Sequence, residues 1–240
     1  MKPSPTIISV EGNIGSGKST FVRILKEYFE VHEQDRHIVF LQEPVDEWNS
    51  ITDKSGESIL SKFYANQEKY SFAFQMMAYI SRLALLKRTV EENPGAIIIT
   101  ERCLYTDKNV FAKMLYDNGL IEEVEYTIYI KWFDEFQKEY PISGYVYLYT
   151  KAETAFERVK KRSRDGESTI PLDYLRQCHQ YHNEWLFGNK EDIDEYINND
   201  STTQHATAPW LNNLLLDAEE DIETMTKRIP LIESFIQKKI

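Results

Sequence analysis

The chain predicts a parallel α/β sandwich, a five-stranded sheet with helices on both faces, forming a single domain over residues 1–240. Three observations predict it. The runs Thr6-Ile7-Ile8-Ser9-Val10 and Ala96-Ile97-Ile98-Ile99-Thr100 are apolar and β-branched without polar alternation, which suits strands covered on both faces. Such runs alternate with amphipathic stretches of helical period, the pattern of βαβ units. The segment GNIGSGKST, Gly12 to Thr20, joins the first strand to the first helix with the spacing G-x-x-x-x-G-K-[ST].

Taken in order, residues 6–10 read as a buried strand and 18–30 as a helix with Phe21, Ile24, Leu25 and Phe29 on one face. Gln34-Asp35-Arg36 reads as a turn, 37–42 as a second strand ended by Glu43-Pro44, and about 57–92 as two helical pieces that Pro94-Gly95 terminates. Residues 96–100 form the third strand, followed by helices at about 105–117 and 122–139. Residues 145–150 form the fourth strand, and the helix at 152–163 turns strongly basic. Pro171 starts a helix that runs to about Leu186, since proline is suited to a first helical turn. Residues 188–209 are polar and acidic and read as a surface excursion; 211–216 is the fifth strand and 219–238 a final helix.

Composition narrows the function. Hydrophobic residues make up 42% of the chain, within the range of globular domains. The net charge of −11 disfavours non-specific binding to nucleic acid or anionic membranes, so any phosphate needs a local basic patch. Cys103 and Cys178 do not make a disulfide scaffold and suggest a reducing compartment. No apolar run is long enough to span a bilayer, and with five residues before the first strand there is no targeting signal to read, so a cytoplasmic location is expected.

The glycine loop is a phosphate cradle by construction. Gly12, Gly15 and Gly17 let the backbone amides of Gly12, Asn13, Ile14, Gly15, Ser16, Gly17, Lys18, Ser19 and Thr20 turn toward one anion, and the following helix adds the positive end of its dipole. In such a loop Lys18 reaches the β- and γ-phosphates of ATP or another nucleoside triphosphate, and the Ser19 hydroxyl holds Mg²⁺. Ligands of this fold sit at the carboxyl ends of the strands, which brings Glu43 and Glu101-Arg102 to the same crevice. One carboxylate there suits orienting Mg²⁺ and the other accepting a proton from an attacking hydroxyl, while Arg102 suits a bidentate clamp on phosphoryl oxygens. Arg158 and Arg162 share a helix face, and Arg164 follows before Gly166. Alone that run reads as a solvated basic face; beside a phosphate cradle it reads as an arginine-rich lid over about 158–168. Gln75, Ala78 and Arg82 form one helical stripe beside Phe74, suited to reading the edge of a planar base, and Asp107, with Phe111 one turn on, is placed to pair with Arg82.

Together VEGNIGSGKST, QEPVDEW, YSFAFQMMAYISR, TERCLYTDKNVFA, the Arg158-to-Arg164 lid and IPLDYLRQCHQYHNEWL resemble the deoxyribonucleoside kinase family, on its deoxycytidine kinase side. The resemblance implies a P-loop kinase fold and ATP-dependent phosphorylation of a deoxynucleoside 5′-hydroxyl in nucleotide salvage. It implies that Glu43 is the general base, that Arg102 positions the hydroxyl and phosphates, and that Glu101 and Ser19 serve Mg²⁺. Tyr64 and Glu167 fall where the family binds the sugar 3′-hydroxyl, Gln75 on its base-reading glutamine, and Phe74 and Phe111 on its stacking positions. Ile14, Val45, Trp48, Leu60 and Phe63 would line the pocket, and Asp217 lies near the donor-base loop. The Arg82–Asp107 pair and Ala78 favour deoxycytidine over thymidine, with deoxyadenosine and deoxyguanosine as further candidates. Phe63 departs from the family's methionine, and residues 188–209 do not align. A homodimer is implied. The alternatives are a thymidylate-type nucleoside monophosphate kinase and a non-catalytic nucleotide-binding subunit of the same fold.

Overall fold

The structure, a computed structural model, describes residues 5–32, 36–162, 170–188, 193, 213–219 and 222–240. Gln34-Asp35 of the expected turn, Arg164, Gly166 and Glu167 of the expected lid, and nearly all of the expected 188–209 excursion lie outside them. The five parallel strands are β1 (Thr6–Glu11), β2 (Ile38–Leu41), β3 (Ile97–Glu101), β4 (Gly144–Tyr149) and β5 (Asn213–Asp217), in the order β2-β3-β1-β4-β5. β1 is central, with Val10 beside Glu101 of β3 and Glu11 beside Tyr147 of β4. From β1 the chain crosses to the edge strand β2, returns as β3 beside β1, and then continues as β4 and β5 on the other side. The reversal falls beside β1, where open α/β sheets hold their ligands.

Both faces of the sheet are covered, which explains the unbroken apolar strands. Ile8 and Val10 pack with Ile97 and Ile99 against Phe21, Val22 and Leu25 of α1 (Lys18–His32). Ile7 and Ile98 face the other way, against Leu86 of α4 (Gln67–Glu92) and Tyr140. The long helical stretch does divide in two, α3 (Ile59–Ala65) and α4, at Asn66. Asn66 ends the first with its backbone N–H on Lys62 and caps the second by accepting from the Lys69 amide, 3.1 Å away.

Three elements differ from the expectation. A short helix, α2 (Val45–Ser50), follows Pro44; it has acidic residues in its first turn but is too brief to show a period. The helix expected at 105–117 spans 104–117 as α5, but its centre, Asp107–Ala112, is π-helical. The final helix is two pieces. After α6 (Glu123–Phe136), α7 (Ala152–Arg162) and α8 (Leu172–Phe187), the chain ends in α9 (Ile222–Thr226) and α10 (Ile229–Gln237). Pro230 explains the break: it sits in the first turn of α10 and, without an N–H, cannot continue a preceding helix. Ile193, inside the stretch expected at the surface, is fully buried with Tyr149, Leu186 and Phe187.

The glycine loop is wedged between sheet and helix. Gly15 has φ +83°, and a Cβ there would stand 2.4 Å from the Ala155 carbonyl oxygen and 2.9 Å from Val159 Cγ2, both on α7. The loop therefore fixes the position of the helix that ends at Arg162. Gly15→Ala should cost about 1–3 kcal/mol from overpacking, before any left-handed strain. Thermal unfolding should show it as a fall of roughly 2–4 °C per kcal/mol for a chain of this size. An unchanged melting temperature would mean that α7 does not press on the loop.

Candidate active site

The carboxyl ends of β1, β2 and β3 open into one cavity of about 190 Å³. Its walls contain Ile14, Gly15, Gly17, Lys18, Ser19 and Thr20 from the loop, and Glu43, Glu101 and Arg102 from the strand ends. Val45, Trp48, Leu60, Phe63, Tyr64, Phe74, Gln75, Ala78, Asp107 and Phe111 complete most of the rest, with Arg162 at the end of α7. Of the residues expected around one acceptor, all but Arg82 and Glu167 line this cavity, and Glu167 lies outside the described residues. Arg82 is buried behind this wall, 2.8 Å from Glu43. Arg158 points elsewhere, donating to the Glu219 carbonyl at 3.3 Å. Asp217 ends β5 and accepts the Glu219 amide at 3.0 Å, outside the cavity wall. The Asn13 side chain is spent on structure, donating to the Leu175 carbonyl at 2.8 Å and accepting the Ile14 amide at 2.8 Å.

The apolar end is walled by aromatic rings. Phe63 and Phe74 lie nearly parallel, 4.5 Å between centroids, and Trp48 meets Phe74 edge-on at 5.6 Å. The Trp48 indole donates to Ser81 at 2.8 Å, which fixes its tilt. Gln75 and Ala78 look into this end from α4. Tyr174 of α8 also lines the cavity, edge-on to Tyr64 at 6.5 Å. Sequence reasoning did not single it out. Its only signal is its place in the first turn of the helix after Pro171, which puts a large ring beside the loop.

The polar end is a network of buried charges. Glu43 accepts from Arg102 Nη1 with both oxygens, at 3.0 and 2.8 Å, and from Arg82 Nη2 at 2.8 Å. Arg82 also grips Asp107, Nε to Oδ2 at 2.8 Å and Nη2 to Oδ1 at 3.2 Å, and donates to the Glu101 carbonyl at 3.0 Å. The predicted Arg82–Asp107 pair thus exists, and it extends to Glu43, which the sequence did not reveal. Arg102 reaches from Glu43 to the Gly12 carbonyl, 3.3 Å from Nη2, while its guanidinium lies over the Phe111 ring at 5.0 Å. Burial acts to raise the Glu43 carboxyl, but Arg102 and then Arg82 outweigh it and hold the group down at about 2. Glu43 is therefore a carboxylate throughout the working pH range.

Arg102 takes an unusual backbone form. Its φ of +60° is the only positive value at a non-glycine residue among those described. An L-residue there costs about 1–2 kcal/mol and persists only where its surroundings impose it. The Arg102 amide donates to the Val10 carbonyl at 3.0 Å, and its own carbonyl accepts the Thr100 hydroxyl at 2.8 Å.

At the loop, Lys18 is buried and donates to the carbonyls of Gly12 and Asn13 at 2.9 and 2.7 Å. The Ser19 hydroxyl donates to Glu101 Oε1 at 2.7 Å. Two hard oxygen groups side by side, next to a phosphate cradle, match what Mg²⁺ needs from protein: one or two ligands, with phosphates and water supplying the remainder. Ser19 and Glu101 are thus the residues that would hold it.

Burial and Arg102 push the Lys18 ammonium down to about 7, against Glu101 and Glu43, which favour its charge. A triphosphate beside it favours the charged form. Above pH 7 the empty protein holds Lys18 largely neutral, so triphosphate binding at pH 8 should take up close to one proton. The uptake should fade below about pH 6, where Lys18 is already charged. Calorimetry in buffers of differing ionisation enthalpy reads this directly, and no uptake at pH 8 would contradict the lowered value.

The chain as a whole is similar to known proteins. The profile described as deoxynucleoside kinase matches residues 8–237. The deoxycytidine kinases of Rattus norvegicus and Homo sapiens are each 37% identical over 193 residues, covering 75% of this chain and 74% of theirs. The mitochondrial deoxyguanosine kinase of Xenopus laevis is 31% identical over 235 residues, covering 90% of this chain and 82% of its own.

Proposed function

Because this chain belongs to the deoxynucleoside kinase family, and so phosphorylates deoxynucleosides with ATP, we propose that its cavity takes deoxycytidine first, with deoxyadenosine and deoxyguanosine as further acceptors. The observation that supports the mechanism is the place of Glu43, between the aromatic end of the cavity and the glycine loop. The base lies between Phe74 and Phe111, with Gln75 and the Arg82–Asp107 unit at its edge. Tyr64 and Glu167 take the sugar 3′-hydroxyl. The 5′-hydroxyl then meets Glu43 on one side and the γ-phosphate on the other.

A carboxylate held at about 2 is a weak base. That suits a loose phosphoryl-transfer transition state, in which the attacking oxygen loses its proton late. Glu43 orients the hydroxyl first and receives its proton as the oxygen–phosphorus bond forms. Arg102 spans both reactants, one nitrogen on Glu43 and another toward the loop. Ser19 and Glu101 would hold Mg²⁺, which would supply neutralisation of phosphate charge when bound. Lys18, Arg162 and Arg164 stabilise the charge of the transferring group, Arg158 joins them only on leaving the Glu219 carbonyl, and Asp217 lies toward the donor base. Glu43 also argues against a nucleoside monophosphate acceptor, whose phosphate dianion would face this carboxylate.

A homodimer fits the surface. Val124, Ile128 and Trp132 form an exposed stripe along α6, and Ile80 is exposed on the adjoining α4. A second copy laid on these helices would cover the stripe. The free, buried Cys103 and Cys178 support a cytoplasmic setting, and no helix among the described residues is long and apolar enough to cross a membrane.

Two variants test the reading. Glu43→Gln removes the proton acceptor at constant shape, so kcat should fall by about 10²–10⁴-fold, the usual worth of a general base. Nucleoside affinity, measured by calorimetry, should fall much less than kcat, and the melting temperature taken beside it reads the cost of the guanidiniums that lose their carboxylate. Near-normal turnover would remove Glu43 from the chemistry.

The second variant concerns the base. Asp107→Ala alone would strand a buried guanidinium and harm every substrate. Arg82→Met with Asp107→Ala removes the pair and opens space for a 5-methyl group. Because Arg82 also grips Glu43, kcat should fall for all acceptors, and only the ratio isolates recognition. Burying a methyl is worth about 1 kcal/mol and a charged hydrogen bond about 1.5–3 kcal/mol. The thymidine-to-deoxycytidine ratio of kcat/KM should therefore rise by roughly two orders of magnitude. An unchanged ratio, or a wild type that already prefers thymidine, would overturn the deoxycytidine assignment.

A further inference from the structure

Glu11 is a buried carboxylate that the mechanism above does not use. It ends β1, has no exposure to solvent, and comes immediately before the glycine loop. Three neutral donors hold it. The Ser9 hydroxyl lies 2.5 Å from Oε1, the Thr106 hydroxyl 2.8 and 2.7 Å from the two oxygens, and the Cys103 thiol 3.2 Å from Oε1. Burial and the charge of Glu11 push the Cys103 thiol well up, so it stays a neutral donor.

The sequence positions of these donors matter. Cys103 follows Arg102, and Thr106 precedes Asp107. The Thr106 hydroxyl also accepts the Cys103 amide at 3.1 Å, closing the first turn of α5. One carboxylate therefore fastens the turn that carries the left-handed Arg102 at one end and Asp107 at the other. Both reach Glu43, Arg102 directly and Asp107 through Arg82. Buried polar groups of this kind are costly unless fully satisfied, and a satisfied cluster fixes one arrangement of the elements it joins.

We propose that Glu11 is a positioning residue for phosphoryl transfer, acting through Cys103 and Thr106 to aim Arg102 and Asp107 at Glu43. The inference rests on the role given to Glu43 above. It locates the alignment of the acceptor side in a group that touches neither substrate. The loop amides of the donor's cradle are not part of the 103–106 turn, which meets the loop through Arg102 and the Gly12 carbonyl.

The test compares Glu11→Gln, Thr106→Val and Thr106→Ser with the wild type in steady-state kinetics and thermal unfolding. Small misplacements of reacting groups cost up to about a hundredfold. Glu11→Gln and Thr106→Val should each lower kcat by roughly tenfold to a hundredfold, with the KM for ATP within about twofold. Thr106→Ser keeps the hydroxyl and should recover most of the turnover. The double variant Glu11→Gln/Thr106→Val should lose little more than the worse single one, because both break the same link. Should Glu11→Gln not fold, the Thr106 pair decides alone. Wild-type kcat in Thr106→Val, or a lower melting temperature with kcat unchanged, would overturn the inference and leave the role of Glu43 standing. A wild type that turns over no deoxynucleoside would overturn both.

Discussion

The site hangs on a single arrangement: the Glu43 carboxylate gripped by two buried guanidiniums. Its partners come from distant parts of the chain, Arg82 from the middle of α4 and Arg102 from the end of β3, with Asp107 of α5 completing the set. None of these charges tolerates burial alone. Desolvation of each costs several kcal/mol, and the pairs recover it only through good geometry and full hydrogen bonding. Removing one partner leaves a stranded charge and typically costs 3–5 kcal/mol, whereas an apolar core of the same volume would be at least as stable. Stability alone therefore does not explain the cluster. The proposed mechanism supplies another reason, because the same contacts that make burial tolerable fix an ionised carboxylate between the aromatic end of the cavity and the glycine loop.

The cluster also constrains the backbone around it. For Arg102 to touch both Glu43 and the loop, the chain must turn sharply after β3, and φ at +60° accomplishes that turn. The π-helical stretch from Asp107 to Ala112 has a similar effect. Its wider turn alters the facing of Asp107 relative to Phe111, so that one meets Arg82 while the other lies against the Arg102 guanidinium. Irregular turns of this sort concentrate at functional sites because regular geometry does not bring the required groups together.

Those irregularities mark the limit of what could be read from the sequence. The five strands, the loop and the crevice residues were legible because each depends on a local signal: unbroken β-branched runs, glycine spacing, and the rule that ligands sit at strand ends. Gln75, Ala78 and Arg82 were legible because helical period alone puts them on one face. The contact between Arg82 and Glu43 was not, since it joins residues 39 positions apart in the chain through no local pattern. Nor was α2, which is shorter than two turns, or the left-handed Arg102, whose residue type gives no hint of its conformation. The division of the last helix was legible in principle: Pro230 lies in the middle of the stretch read as continuous, and a proline inside a helical pattern ends or kinks it.

Net charge carries a related lesson about scale. The chain carries −11, and the basic side chains of Lys18, Arg102 and Arg162 line the cavity, Lys18 with its ammonium pushed down to about 7. Among the described residues, Glu43 and Glu101 sit beside the first two, so the formal charge of that wall is far from strongly positive. Much of the attraction must come instead from backbone amides of the loop and from the first turn of α1, which no count of lysines and arginines records. These dipoles act only at short range and in one geometry. Under the proposed function the acidic surface repels polyanions in general, and the loop attracts a phosphate group through the shape of its backbone more than through net charge.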